Sequence, residues 1–208
     1  MIKFRYLILM IFLISSHTSA LKAQTLKENF ETGKKAFYSD DFEKANKIFS
    51  EILNKESDDY EICFYKGMIY FIYFDYDKAL NELSKSIEMN NKNAEAYYSR
   101  GMIYERKEDF KNAVNDFSKA VKINKKYLDA YYSRAEAYEA LKENAKAIDD
   151  YSKIIKLNPG DDIAYYNRGL LYIETGDKEK AVNDFQKAIE IDKIWTNELN
   201  KKIEELKK

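Results

Sequence analysis

Arg100, Arg134 and Arg168 stand sixteen residues before Asp116, Asp150 and Asp184. A guanidinium and a carboxylate can form a two-pronged, charge-assisted pair if two elements bring them face to face. Earlier in the chain the same places hold Lys66 and Glu82, and before that Thr32 and Ile48, so base and acid vanish together. Either the residues pair between elements, or the chain copies one ancestral segment. A second chemistry is apolar and acidic recognition. Phe30, Phe37, Phe64, Met68 and Phe71 could anchor apolar groups, with Tyr98 and Met102 continuing the set. Glu105, Glu136 and Glu139 could receive a basic group, with Tyr132 among them, before Tyr166, Leu170 and Ile173 turn apolar again. Covalent chemistry finds no comparable set. His17 is the sole histidine and Cys63 the sole cysteine, and there is no Gly-rich phosphate loop or Cys-x-x-Cys. No nucleophile has a base beside it. The expectation is a non-enzymatic chain without a cofactor or metal.

The element that must position these residues recurs every 34 positions, five times without a gap. Gly33, Gly67, Gly101, Ala135 and Gly169 share one column, and Ala45, Ala79, Ala113, Ala147 and Ala181 another. Phe49, Leu83, Phe117, Tyr151 and Phe185 form a bulky third. A fixed period of this length marks stacked supersecondary repeats. Within one repeat, Tyr97, Gly101 and Tyr104 lie at i, i+4 and i+7, one face of a helix. Ala113, Phe117 and Ala120 restore that spacing after a break, so each repeat reads as a helical hairpin. Asp41, Asp75, Asp109 and Asp177, with Glu143 as a poorer fit, stand where the second helix needs an N-cap. The Gly and Ala columns mark the closest approach of the paired helices. One proline and six glycines suit packed helices rather than a sheet. The charges are mixed and nearly balanced, so no basic face points to nucleic acid.

The Gly, Tyr, Ala, aromatic, Ala order at this spacing resembles the tetratricopeptide repeat. Tyr97-Tyr98-Ser99-Arg100-Gly101 and Tyr165-Tyr166-Asn167-Arg168-Gly169 carry the resemblance, and Pro159 falls where that family often ends a repeat. Ala135 for Gly and Ala36 for the usual Tyr are mild departures. The resemblance implies an all-α, right-handed solenoid of five hairpins, at 26–59, 60–93, 94–127, 128–161 and 162–193 within 24–193. In such arrays the first helices line a concave groove. By resemblance, the groove is then walled by the apolar and acidic residues above, Phe30 to Met102 first and Glu105 to Leu170 after. The helix around Phe64, Met68 and Phe71 is apolar nearly all round, which marks either full burial or a sticky surface. The expected partner is a protein or peptide segment with apolar anchors and a basic residue. Tyr98, Tyr132 and Tyr166 suggest the alternative of a cell-envelope glycan or small ligand stacked on a tyrosine ladder. Self-association could also cover the groove.

Two further segments flank the repeats. Residues 1–23 carry Lys3 and Arg5, the apolar stretch Tyr6 to Ile14, and small residues ending at Ala20 or Ala23. That order describes a secretory signal peptide and an exported, periplasmic or secreted protein. The apolar run is too short to favour a membrane span. Cys63 is expected to be a small buried hydrophobe. Residues 194–208 place Leu199, Ile203 and Leu206 on one side and Lys or Glu elsewhere. They read as a helix that caps the last hairpin, as repeat arrays require.

Overall fold

A computed structural model describes residues 24–55 and 59–207, so the leader at 1–23 lies outside the described residues. They fold into helices and turns, in two compact units that divide between Asn91 and Lys92. The N-terminal unit holds two hairpins, α1 (24–38) with α2 (Phe42–Leu53) and α3 (Tyr60–Ile72) with α4 (Tyr76–Met89). The C-terminal unit holds three, α5 (Ala94–Arg106) with α6 (Phe110–Ile123), α7 (Leu128–Ala140) with α8 (Asn144–Leu157), and α9 (Asp162–Glu174) with α10 (Lys178–Ile191). A 3₁₀ turn at Lys193–Trp195 leads into α11 (Thr196–Leu206).

One turn design closes every hairpin. Asp40, Phe74, Glu108, Lys142 and Gly176 take positive φ, the left-handed residue that ends the first helix. The next N–H then reaches back over the last turn: Asp75 N–H donates to Tyr70 at 2.9 Å, Asp109 N–H to Tyr104 at 2.8 Å and Asp177 N–H to Tyr172 at 2.8 Å. The same aspartates open the second helix. The carboxylates of Asp41, Asp75, Asp109 and Asp177 accept from the backbone N–H groups of Lys44, Lys78, Asn112 and Lys180. Glu143, one methylene longer, makes no such cap bond and pairs with Lys146 instead.

The Gly column sits where the helices meet. A Cβ at Gly33 would come within 2.5 Å of Phe49, at Gly101 within 2.6 Å of Phe117 and at Gly169 within 2.6 Å of Phe185. Those rings, with the Ala column, are fully buried. Cys63 is buried as expected, and burial pushes its thiol up. α11 keeps the repeat's register: Thr196 falls 34 residues after Asp162, and Leu199, Ile203 and Leu206 fall in the columns of Tyr165, Gly169 and Tyr172. It is therefore the first helix of a further repeat, packed on α10 through Leu199 and Ile203. Its outer residues Glu198, Asn200, Lys201, Glu204 and Glu205 are exposed, which gives the last hairpin a wet cover.

Candidate partner-binding surfaces

In the C-terminal unit each first helix is tied to its second by the arginine–aspartate pair. Arg100 donates to Asp116 at 2.7 and 2.9 Å, Arg134 to Asp150 at 2.8 and 2.6 Å, and Arg168 to Asp184 at 2.8 and 2.7 Å. The three aspartates are buried and the arginines half-buried. The free prong of Arg134 donates to Ser118 Oγ at 3.0 Å, and that of Arg168 to Ser152 Oγ at 2.9 Å. These two arginines thus also clamp the preceding hairpin. That serine link was missed in the sequence, although Ser118 and Ser152 stand 34 apart. In the N-terminal unit Glu82 instead pairs with Lys85, 2.8 Å away along its own helix.

The apolar candidates of the N-terminal unit separate into two kinds. Phe30 is 3% exposed, with its ring 6.1 Å from Phe49 and 5.1 Å from Tyr65. Phe64 is also buried, its ring 5.1 Å from Tyr65. Both are core, not groove wall, which corrects the sequence assignment: an aromatic one position off the packing stripe is still buried here, Phe30 between Phe49 and Tyr65 and Phe64 beside Tyr65. Phe37, Met68 and Phe71 remain half-exposed. Neighbours at the hairpin ends extend the surface: Tyr38 is 72% exposed, Phe42 50% and Phe74 75%. Phe37 lies edge-on to Tyr38, Phe42 and Tyr73 at 5.4–5.9 Å. Phe74 occupies the left-handed turn position (φ 61°), where a bulky side chain is a rare and costly choice. The clue in the sequence was that other repeats place Asp40, Glu108, Lys142 or Gly176 there.

In the C-terminal unit the tyrosine ladder is engaged in packing. Tyr98 lies 5.0 Å from Tyr127, and Tyr132 donates its hydroxyl to Asp161. Tyr166 stacks on Trp195 at 4.5 Å and donates to Glu198 at 3.1 Å. Tyr127, Asp161 and Trp195 are themselves 34 apart, so each tyrosine braces the start of the next first helix. Tyr166 is therefore partly covered by the capping segment, which leaves it less ring face for a stacked ligand. Leu170 packs, partly buried, on the same terminal cluster. Met102 packs, partly buried, on the cluster around Phe117.

The three glutamates do form a common electrostatic site. Burial, and then the charge of Glu136, pushes the Glu105 carboxyl up. Burial and Glu139 push Glu136 up. Burial also pushes Glu139 up, against a 2.7 Å hydrogen bond donated by the Tyr151 hydroxyl and with Glu174 adding to the rise. Three incompletely solvated like charges favour an incoming cation. Raised folded-state values mean that the native unit holds protons the unfolded chain has released, so stability falls as pH rises through the upper carboxylate range. Glu136→Gln should therefore stabilise the protein at pH 7, by about 0.5 kcal/mol or less because this side chain is exposed. Urea titrations at pH 7 and pH 3.5 check the sign, since the advantage should vanish in acid. Among the described residues, no group of three or more His, Cys, Asp or Glu is placed to hold a metal. No described helix is long and apolar enough to cross a membrane.

The sequence pattern of the tetratricopeptide repeat matches residues 94–127, 128–161 and 163–193, and a related repeat pattern matches 67–108. Together they span more than half of the chain, which belongs to the tetratricopeptide-repeat family. A crystal structure of MamA is similar over 79% of this chain and 96% of its own, with 29% identity and a TM-score of 0.69. MamA from Desulfovibrio magneticus RS-1 has the same fold at 20% identity, over 81% of this chain and 95% of its own, with a TM-score of 0.67. YrrB, described as a TPR protein with an unusual peptide-binding site, matches at 20% identity over 83% of this chain and 90% of its own, with a TM-score of 0.65. Comparison with curated protein sequences gives no match. Proteins of this fold generally act as scaffolds for protein–protein interaction.

Proposed function

We propose that this chain is a non-enzymatic scaffold of an exported envelope assembly, and that its first helices grip a segment of a partner protein. The observation that carries the reading is the contrast between the two surfaces. Phe37, Met68 and Phe71 leave apolar side chains half-exposed on α1 and α3, and Glu105, Glu136 and Glu139 crowd like charge onto α5 and α7. Apolar anchors supply most of the affinity in such contacts, and a lysine or arginine of the segment relieves the carboxylate repulsion. YrrB, by its description, shows that this fold supports peptide binding. The leader sequence supports export.

A photo-crosslinking residue placed at Phe71 should capture a partner in whole cells, whereas the same residue at exposed Lys153 on α8 should not. Met68→Ala with a crosslinker at Phe71 should lower the yield about tenfold, and Glu136→Lys with Glu139→Lys should do the same for a crosslinker at Met102. Equal capture at Phe71 and Lys153 would overturn the surface assignment. Intact-mass measurement of the purified protein tests export, for which loss of the residues up to Ala20 or Ala23 is expected.

A further inference from the structure

The first hairpin lacks a side chain that every other hairpin has. Tyr70, Tyr104, Tyr138 and Tyr172 share one column, and Ala36 holds that place in α1. In three hairpins a lysine of the second helix lies over the ring: Lys78 over Tyr70 at 5.4 Å, Lys146 over Tyr138 at 5.3 Å and Lys180 over Tyr172 at 5.3 Å. In the last two an arginine of the first helix adds a second cation, Arg134 at 5.9 Å and Arg168 at 5.7 Å. Each of these lysines is also paired with the acid that begins its helix, Lys78 with Asp75 at 2.7 Å, Lys146 with Glu143, and Lys180 with Asp177 at 2.5 Å.

The equivalent positions in the first hairpin, Thr32, Ala36 and Lys44, line a cleft of about 490 Å³ together with Glu31, Lys35, Ser39 and Asp41. The lysine of a tyrosine site is kept, Thr32 replaces the base of the first helix, and the ring is missing. Lys44 falls in the column of Lys78, Lys146 and Lys180, and it has neither a ring beneath it nor an ion pair with Asp41 among the described contacts. A cation above an unfilled aromatic-sized hollow attracts the negative face of a π system. A detached aromatic ring that enters the hollow gains the burial that the built-in rings already have.

We propose that this cleft is a subsite for the side chain of a tyrosine carried by a partner polypeptide. The inference rests on the protein-binding reading and adds to it a named anchor, at a place outside the stripe of Phe37, Met68 and Phe71. Tyrosine is favoured because it is the residue that the fold itself places there four times over, three of them with the ring under a lysine.

The test is a chemical-shift titration of the full chain with N-acetyl-L-tyrosine amide. Saturable shifts are expected at Thr32, Ala36 and Lys44, with a dissociation constant in roughly the millimolar range. Lys44→Ala should weaken binding about threefold. Ala36→Tyr should abolish it, because the built-in ring fills the cleft. That variant gives the first hairpin the residue of the other four, and unchanged helicity with an equal or higher Tm confirms that it folds. The absence of saturable shifts, or shifts that persist in Ala36→Tyr, would overturn the proposal. An oligomer that dissociates on Ala36→Tyr would place a second copy's tyrosine in the cleft and overturn the partner assignment. Met68→Ala with Phe71→Ala leaves this titration unchanged, so failure of the surface reading and failure of the cleft are separately visible.

Discussion

Arg134→Ala is expected to destabilise the C-terminal unit by about 3–5 kcal/mol, more than the removal of its aspartate partner. Asp150 is 4% exposed and accepts both of its charge-assisted hydrogen bonds from Arg134, at 2.8 and 2.6 Å. Burial already pushes the Asp150 carboxyl up, with Arg134 pulling against it. Without the guanidinium the carboxylate is a buried charge with no counter-ion, and it must take up a proton or draw in water. Asp150→Ala leaves the milder problem, because Arg134 is half-buried, keeps Ser118 Oγ at 3.0 Å and can reach solvent. The sign with pH follows from the carboxyl. In Arg134→Ala its folded-state value rises further, so the native state holds the proton more tightly than the unfolded chain, and the penalty grows as pH rises above the usual carboxylate range. Urea unfolding of both single variants and of Arg134→Ala with Asp150→Ala measures the coupling. Losses that simply add would refute the pair, and substantial recovery in the double variant is expected. Because Arg134 also holds the preceding hairpin through Ser118, hydrogen exchange should show α6 loosening together with α7 and α8.

This pair marks how far periodicity carries. The period, the helical hairpins and the N-caps of the second helices were legible, because each depends on residues inside one hairpin that repeat from hairpin to hairpin. The Arg–Asp pairing was legible for the same reason, as a constant separation of sixteen residues. What periodicity hides is coverage. Phe64, Tyr98, Tyr132 and Tyr166 occupy one column, yet Phe64 is buried beside Tyr65, Tyr98 leans on Tyr127, and Tyr166 lies under Trp195. A column fixes the direction of a side chain from its own helix. What meets it there differs along the chain: Tyr65 of the same helix, Tyr127 just before α7, or Trp195 just before α11. The exposed aromatics Tyr38 and Phe42 escaped for a different reason, since they stand at the last and first residues of their helices, off the repeating stripes. The cleft at Ala36 was visible in the sequence only as a departure from the Tyr column. It acquires meaning once the lysines above the other rings are seen.

The second large effect is expected from Gly169→Ile, at or above the ~3 kcal/mol upper end of ordinary overpacking. An ideal Cβ at Gly169 would stand 2.6 Å from Cε1 and 2.8 Å from Cδ1 of Phe185, a ring that is fully buried and has no room to retreat. Two natural variants of the same column bracket the result. Ala135 is accommodated in α7 opposite Tyr151, so a single methyl can be absorbed by a small adjustment of the helix pair. Gly169→Ala should accordingly cost little, since the overpacking is offset by roughly 1 kcal/mol of regained helix propensity. Ile203 stands in the same column on α11, where it packs against the α10 cluster with no further bulky ring of the Phe185 column described across it. In Gly169→Ile the expected outcome is a parting of α9 from α10, with α11 released because it packs on α10 through Leu199 and Ile203. Hydrogen exchange should lose protection from Asp162 onward while α5 to α7 keep theirs, as nearest-neighbour stability in a repeat array requires. Loss of protection spread evenly over the whole C-terminal unit would instead show that the three hairpins unfold as one cooperative body.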